Sequence, residues 1–197
     1  MSAIGAPAAD LPFRLTICGI PELDNHCAAE VTHVLSILDP GYEDPATFTA
    51  FPPHHRLLFR FHDIIEPRPG RTPPSAGDVK RLLALGRELV TTPQKHLLIH
   101  CHAGLSRSTA SAVLLLAQAW PDRPARAAFD AVSDIRPAAW PNLRMLEIGD
   151  ALLGRNGEIV AAVAPVYRRV LERDPSFHEA LILAGRNREI IAAGGNR

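Results

Sequence analysis

Between residues 96 and 120 the chain changes character twice. His96 to His100 is a short apolar run of strand length, Gly104 interrupts it, and small and aliphatic residues follow from Ser106 to Trp120. A buried strand that turns through a glycine directly into a helix is half of a βαβ unit. This segment therefore commits the chain to a layered α/β arrangement. The flanking sequence agrees. Phe13 to Cys18, Val31 to Leu38 and Arg56 to Phe61 read as further strands. They are closed by Gly19 and Pro21, by Asp39-Pro40-Gly41, and by His62-Asp63 with a stiff loop rich in proline from Glu66 to Pro74. Pro21 to Ala29 reads as a short helix. Ser75 reads as the N-cap of a helix to about Val90, with Val79, Leu82, Leu83, Leu85 and Leu89 on one face. Pro124 to Val132 and Pro141 to Leu153 read as two more helices. The expected fold is α/β, with a central, mostly parallel sheet of about four to five strands flanked by helices.

A length of 197 residues suits one domain, or one domain with an appended segment. Residues 1–12, rich in Ala and Pro, are expected to be flexible; residues 13–153 form the domain; residues 154–197 form a helical extension packed on it. Within that extension, Gly157 to Ile191 reads as two helices broken near Asp174-Pro175, with a kink at Pro165. Its pattern is that of a single helical-repeat unit, and without a second copy it reads as a cap rather than a solenoid. Apolar residues make up 47% of the chain, which excludes global disorder. The 21 basic and 21 acidic residues cancel, so bulk charge points to neither nucleic acid nor a membrane as partner. The longest apolar stretch, Ala110 to Ala119, is too short to span a bilayer. Met1 to Asp10 lacks a signal-peptide pattern, and Cys18, Cys27 and Cys101 are too few and scattered for a disulfide framework. A cytoplasmic, reducing location is expected.

The chemistry concentrates in Ile99-His100-Cys101-His102-Ala103-Gly104-Leu105-Ser106-Arg107-Ser108-Thr109. The strand delivers Cys101 to the sheet's carboxyl edge, and Arg107 falls in the first turn of the next helix. Gly104 permits a curl in which the loop's N–H groups converge. The helix N-terminus adds unpaired N–H groups and partial positive charge. A ring of amides with a forked guanidinium is a cradle for a tetrahedral dianion, such as phosphate or sulfate. A thiolate at its base is a nucleophile poised beneath phosphorus. In-line attack gives a phosphocysteine that water hydrolyses, with the amides and Arg107 holding the equatorial oxygens.

His-Cys-x5-Arg-Ser, here His100 to Ser108, resembles the signature of cysteine-dependent protein tyrosine and dual-specificity phosphatases, including tyrosine phosphatases of bacterial type. The resemblance implies a phosphatase domain over residues 13–153 and a protein tyrosine or dual-specificity phosphatase working through phosphocysteine, without metal or other cofactor. It implies Cys101 as nucleophile and Arg107 as phosphate clamp, with Ser108 donating to the departing sulfur. It also implies the amides of His102, Ala103, Gly104, Leu105, Ser106 and Arg107 as phosphate ligands, and His100 as a residue that orders the loop and lowers the thiol pKa. The family's general acid is an aspartate on a loop some distance upstream, and Asp63, on a mobile lid just after a strand, is the candidate. Glu66 and Asp78 are rivals, the latter inside a helix. Arg68 and Arg71 could touch an anionic substrate or lie solvated. Arg136-Pro137 with Pro141-Asn142 resembles the segment whose Asn buttresses the loop, which implies that role for Asn142. Asp150 stands where the family often has a water-positioning Gln.

Other readings compete. A lone Cys is usually inert packing, but Cys101, Gly104, Arg107 and Ser108 in register argue against that. His100-Cys101-His102 could hold zinc, but successive strand residues point to opposite faces and no partner pair is visible. Cys18 and Cys27 read as core, with one able to form a protective disulfide with oxidised Cys101. His26, His33, His54, His55 and His96 have no paired context, and Trp120 and Trp140 read as anchors. The functional alternatives are a phosphate-binding pseudophosphatase or scaffold, and a phosphatase of small-molecule or lipid phosphates. The expected partners are accordingly phosphorylated proteins or small phosphomonoesters. The absence of a lysine from the loop leans away from lipid substrates.

Overall fold

A computed structural model describes residues 11–91 and 94–195. The flexible segment expected over residues 1–12 lies, apart from Leu11 and Pro12, outside the described residues. The strands are β1 (Arg14–Gly19), β2 (His33–Leu38), β3 (His55–Arg60) and β4 (His96–Cys101). They form a four-stranded sheet in the order β1-β4-β2-β3, every pair parallel. Parallel strands end at one edge. That edge therefore gathers Gly19, Asp39, Phe61 and Cys101, each at or just beyond the end of its own strand.

The helices of the domain are α1 (Ala76–Leu89), α2 (Arg107–Ala119), α3 (Ala125–Ile135) and α4 (Leu143–Leu153). Helix α1 starts where its capping box predicts: Ser75 Oγ accepts from Asp78 N at 3.2 Å, and Asp78 Oδ2 accepts from Ser75 N at 3.0 Å. Helix α2 is buried without interruption from Arg107 to Ala117. It packs with α1, α3, α4 and one face of the sheet around Leu35, Ile37, Ile99 and Val113. Each such side chain contributes about 1.5–3 kcal/mol on burial. The pleat sends Cys18, Val34 and Leu98 to the other face, with Leu23 and Phe51. Two 3-10 segments, Ile20–His26 and Ala46–Ala50, bring Leu23 and Phe48 to that side. The helix expected from Pro21 is thus the first of these tighter segments.

Beyond α4 the expectation of two helices is corrected to four short ones: α5 (Glu158–Ala162), α6 (Ala164–Arg173), α7 (Phe177–Leu183) and α8 (Asn187–Ala192). The break at Asp174-Pro175 is present. Pro165 does not kink a helix but stands in the first turn of α6, where its missing N–H costs nothing. Gly185, at φ +65°, ends α7 in a left-handed conformation and redirects the chain into α8. Tyr167 of α6 stacks on Trp140 at 4.2 Å between ring centroids, and Phe177 of α7 meets the same indole edge-on at 5.2 Å. These contacts seat the tail over the segment that leads into α4. Among the described residues no helix is long and apolar enough to cross a membrane.

Candidate active site

At the end of β4 the chain turns through residues 102–106 into α2. Gly104 has φ +71°, and a Cβ there would stand 2.4 Å from the carbonyl carbon of Cys18 and 2.6 Å from Gly19 N. Only glycine fits, on conformation and on space. The loop is pinned from outside through its carbonyls. Ile20 N donates to His102 O at 2.9 Å, Trp140 N to Leu105 O at 2.8 Å and Asn142 N to Ser106 O at 3.3 Å. Arg136 donates to Ala103 O at 3.1 Å while forking onto Glu22 at 2.7 and 2.8 Å. With the carbonyls drawn outward, the amides are left over: among the described residues no backbone N–H from His102 to Thr109 donates to a backbone carbonyl. Unpaired amides at the start of a 13-residue helix are an arrangement that suits an anion.

Cys101 Sγ lies 3.3 Å from Ser108 Oγ, and both residues are buried. The Arg107 side chain is 3% exposed, and its Nη1 donates to Asp39 Oδ1 at 2.7 Å and to Phe61 O at 2.6 Å. Its Nε is buried with no protein partner. Asp39 thus anchors the guanidinium. Its backbone N–H also donates to His102 Nε2 at 3.2 Å, which marks that ring nitrogen as an acceptor. Burial and then the Arg107 charge lower the His102 pKa, consistent with a neutral ring.

Asp63 stands across the loop. Its Oδ1 accepts from Ser106 Oγ at 2.7 Å and from Asn142 Nδ2 at 2.8 Å, and its Oδ2 faces Arg186 Nη1 at 3.2 Å. Burial works to raise its pKa, but the Arg186 and Arg107 guanidiniums and the two hydrogen bonds outweigh it. The carboxyl is held below the usual aspartate value. Asn142 is also the N-cap of α4, its Oδ1 accepting from Met145 N at 3.1 Å. The side chain of Ser106, formally the N-cap of α2, makes no cap bond. It bridges Asp63 and Arg186 instead.

A cavity of about 280 Å³ opens above the sulfur. Of the residues singled out from sequence, Cys101, His102, Ala103, Leu105, Ser106, Arg107 and Asp63 line it. Gly104, Ser108, His100 and Asn142 are buried and do not line it. His100 contacts Ser36 Oγ at 2.7 Å, and burial followed by the Arg56 charge pushes its pKa down to about 4. The thiol-lowering role implied for His100 therefore cannot come from an imidazolium near neutrality. Glu66 pairs with Arg188, Asp78 is held by its cap, and Asp150 accepts from Gly157 N and Ile159 N at 2.6 and 2.7 Å, which ties it to the start of α5. Arg68 donates to Ala184 O at 2.5 Å, and Arg71 is exposed. Cys18, on the sheet face opposite Cys101, has its thiol pushed up to about 12 by burial and then by Glu22. Among the described residues no cluster of His, Cys, Asp and Glu is arranged to hold a metal.

Sequence reading missed Asp39, Arg186 and Glu189. Asp39 carried a signal, since it follows a parallel strand at the edge where sites form. Glu189 is fully buried: it accepts from Trp140 Nε1 at 2.6 Å and Leu143 N at 3.0 Å, and Arg186 forks onto it at 2.6 and 2.7 Å. No spacing in the tail announces that pair.

No protein-family model matches the sequence, and no curated protein matches it. Solved structures do. Human DUSP28 is similar at a TM-score of 0.54 and 18% identity, over 72% of this chain and 94% of that one. Tk-PTP in its active form is similar at 0.51 and 25%, over 77% and 99%. The PTP-2 phosphatase of Cydia pomonella is similar at 0.51 and 24%, over 70% and 84%. The fold is that of the dual-specificity and tyrosine phosphatases.

Proposed function

We propose that this chain is a phosphomonoesterase of the protein tyrosine or dual-specificity type that works through a phosphocysteine. The Cys101 sulfur attacks phosphorus in line while the ester P–O bond breaks, and Asp63, in the protonated form it takes at acidic pH, gives its proton to the departing oxygen. Water then attacks the phosphocysteine, the P–S bond breaks, and inorganic phosphate leaves. Asp63 takes the water's proton and the Ser108 hydroxyl donates to the sulfur as it departs. The loop amides and Arg107 hold the equatorial oxygens through both steps. Asn142 keeps Asp63 in place, and neutral His100 ties the end of β4 to Ser36. The observation that carries this reading is the coincidence, in one cavity, of a sulfur 3.3 Å from Ser108 Oγ, carbonyls tied outward, and a buried arginine at the helix start.

The cavity favours an aryl phosphate. Its walls are Ala103, Leu105, Trp140, Phe177, Ala180 and Leu181, and its cations are Arg107 and Arg186 with no lysine. Apolar walls with a charged floor suit a phenyl ring carrying phosphate better than a polyanionic headgroup. Three free thiols suit a reducing compartment such as the cytoplasm. The test is turnover of 4-nitrophenyl phosphate and of phosphotyrosine, phosphoserine and phosphoinositide substrates in the presence of a chelator. Wild type is expected to release phosphate from the aryl esters and Cys101→Ser to release none. A wild type that binds phosphate but turns over nothing would make the chain a scaffold, and preference for the phosphoinositide would make it a lipid phosphatase.

A further inference from the structure

The loop that carries Asp63 is fastened from an unexpected side. Arg186, in the turn between α7 and α8, faces Asp63 Oδ2 at 3.2 Å and donates to Ser106 Oγ at 2.9 Å. Glu189 holds the other side of the same guanidinium in a fork, and Glu189 is in turn fixed by Trp140 and Leu143 N. Further along the acid loop, Arg68 donates to Ala184 O and packs on Gly185, and Glu66 pairs with Arg188. The loop is therefore tied to the α7–α8 segment at its start, its middle and its arginine-bearing tip. The segment expected to be a mobile lid thus makes contacts with the C-terminal helices in this structure. A buried arginine with two carboxylates on opposite sides has little freedom to swing toward a substrate, so its geometry is that of a brace.

We propose that Arg186 is a positioning residue of the active site, bracing the acid Asp63 through an ion pair and through Ser106, and that the C-terminal helices are thereby part of the catalytic apparatus. The proposal rests on Asp63 being the general acid. The groups facing Asp63 are Ser106 and Arg107 at the start of α2, His102 in the phosphate loop, Asn142 at the start of α4, and Arg186 before α8. Tyr167 lies further out in the same electrostatic surroundings, its hydroxyl donating to Pro141 O. Arg186 is the cation against the Oδ2 oxygen, the one not already taken up by Ser106 and Asn142. A proton on Oδ2 must compete with it. An acid is active while protonated, so turnover falls as pH rises through the Asp63 pKa, and a nearby cation places that fall at lower pH.

The experiment is the pH profile of kcat/KM and of kcat for phenyl phosphate in full-length wild type, Arg186→Met, Arg186→Lys and Asp63→Asn, each checked for a cooperative thermal transition. In Arg186→Met the basic limb is expected to move up by about one pH unit. The same variant should lose about tenfold in kcat with KM changed by less than about twofold. Arg186→Lys keeps the charge, so the limb should return toward wild type. If Arg186→Met loses its transition, Arg186→Gln is read in the same way. A limb that stays in place, or a loss confined to KM, overturns the proposal. Asp63→Asn separates the two layers. Should it retain both the basic limb and full kcat, Asp63 is not the acid and the underlying reading fails. Should it abolish the limb while the Arg186 variants leave theirs unmoved, only the bracing role fails.

Discussion

Gly104 is the residue on which the loop between β4 and α2 turns. Giving it a side chain forces a left-handed φ on an L residue and drives a methyl to 2.4 Å from the Cys18 carbonyl carbon. Gly104→Ala is expected to cost about 2 kcal/mol or more in urea unfolding, with a larger proportional loss of turnover because the turn that carries Cys101 into α2 is distorted. An unchanged unfolding midpoint would show that the close approach is absent. Asn142→Ala removes an N-cap worth about 1 kcal/mol and the amide that holds Asp63, so kcat should fall while phosphate still competes as an inhibitor. Residues of this kind were legible in the sequence where a backbone demand is written locally. Cys101, Gly104 and Arg107 lie within one strand–turn–helix, and their spacing alone places them together. Asp39 and Arg186 come from separate parts of the chain, and only the fold brings them to Asp63 and Arg107.

At the level of elements, strands and long helices read cleanly because burial imposes a period on them. Strand β2, buried throughout, and α1, with its capping box and leucine face, both fall within a residue or two of expectation. The tail did not, because α5, α7 and α8 have 5, 7 and 6 residues. Helices so short are set by tertiary contacts rather than by periodicity. Glu189 is the clearest of those contacts. Truncating it leaves Arg186 without its fork and strands Trp140 Nε1 and Leu143 N. Glu189→Ala is expected to destabilise the protein by about 3 kcal/mol or more in denaturant titration. A loss near zero would mean that α8 does not hold the seat described here.

Across the whole molecule, three buried histidines and two carboxylates paired with arginines are shifted in the same direction. His33, His96 and His100 all have lowered pKa values, each with burial as the leading cause, and Asp63 and Glu22 are held down by their arginines. A group whose pKa is lower in the folded state stabilises above its unfolded pKa and loses that contribution as pH falls. For His100 the window runs from 6.5 down to about 4, and the contribution is about 3 kcal/mol. Cys18 works the other way: its thiol, at about 12 against an ordinary 9.0, stabilises below 9.0 and loses that contribution as pH rises toward 12. Unfolding free energy should therefore climb from acid pH, level off between about 7 and 9, and decline above. Stability that is flat from pH 4 to 7 would contradict the burial of these histidines. The proposed function puts one sulfur beneath one phosphate, and its direct test is to catch the bond that sulfur would make. Rapid mixing with an aryl phosphate, acid quench and peptide mass spectrometry should find a single phosphoryl group on Cys101, formed in a burst of aryl alcohol that matches the enzyme concentration. Steady release of alcohol with no burst and no phosphorylated Cys101, or undiminished turnover in Cys101→Ser, would contradict the account.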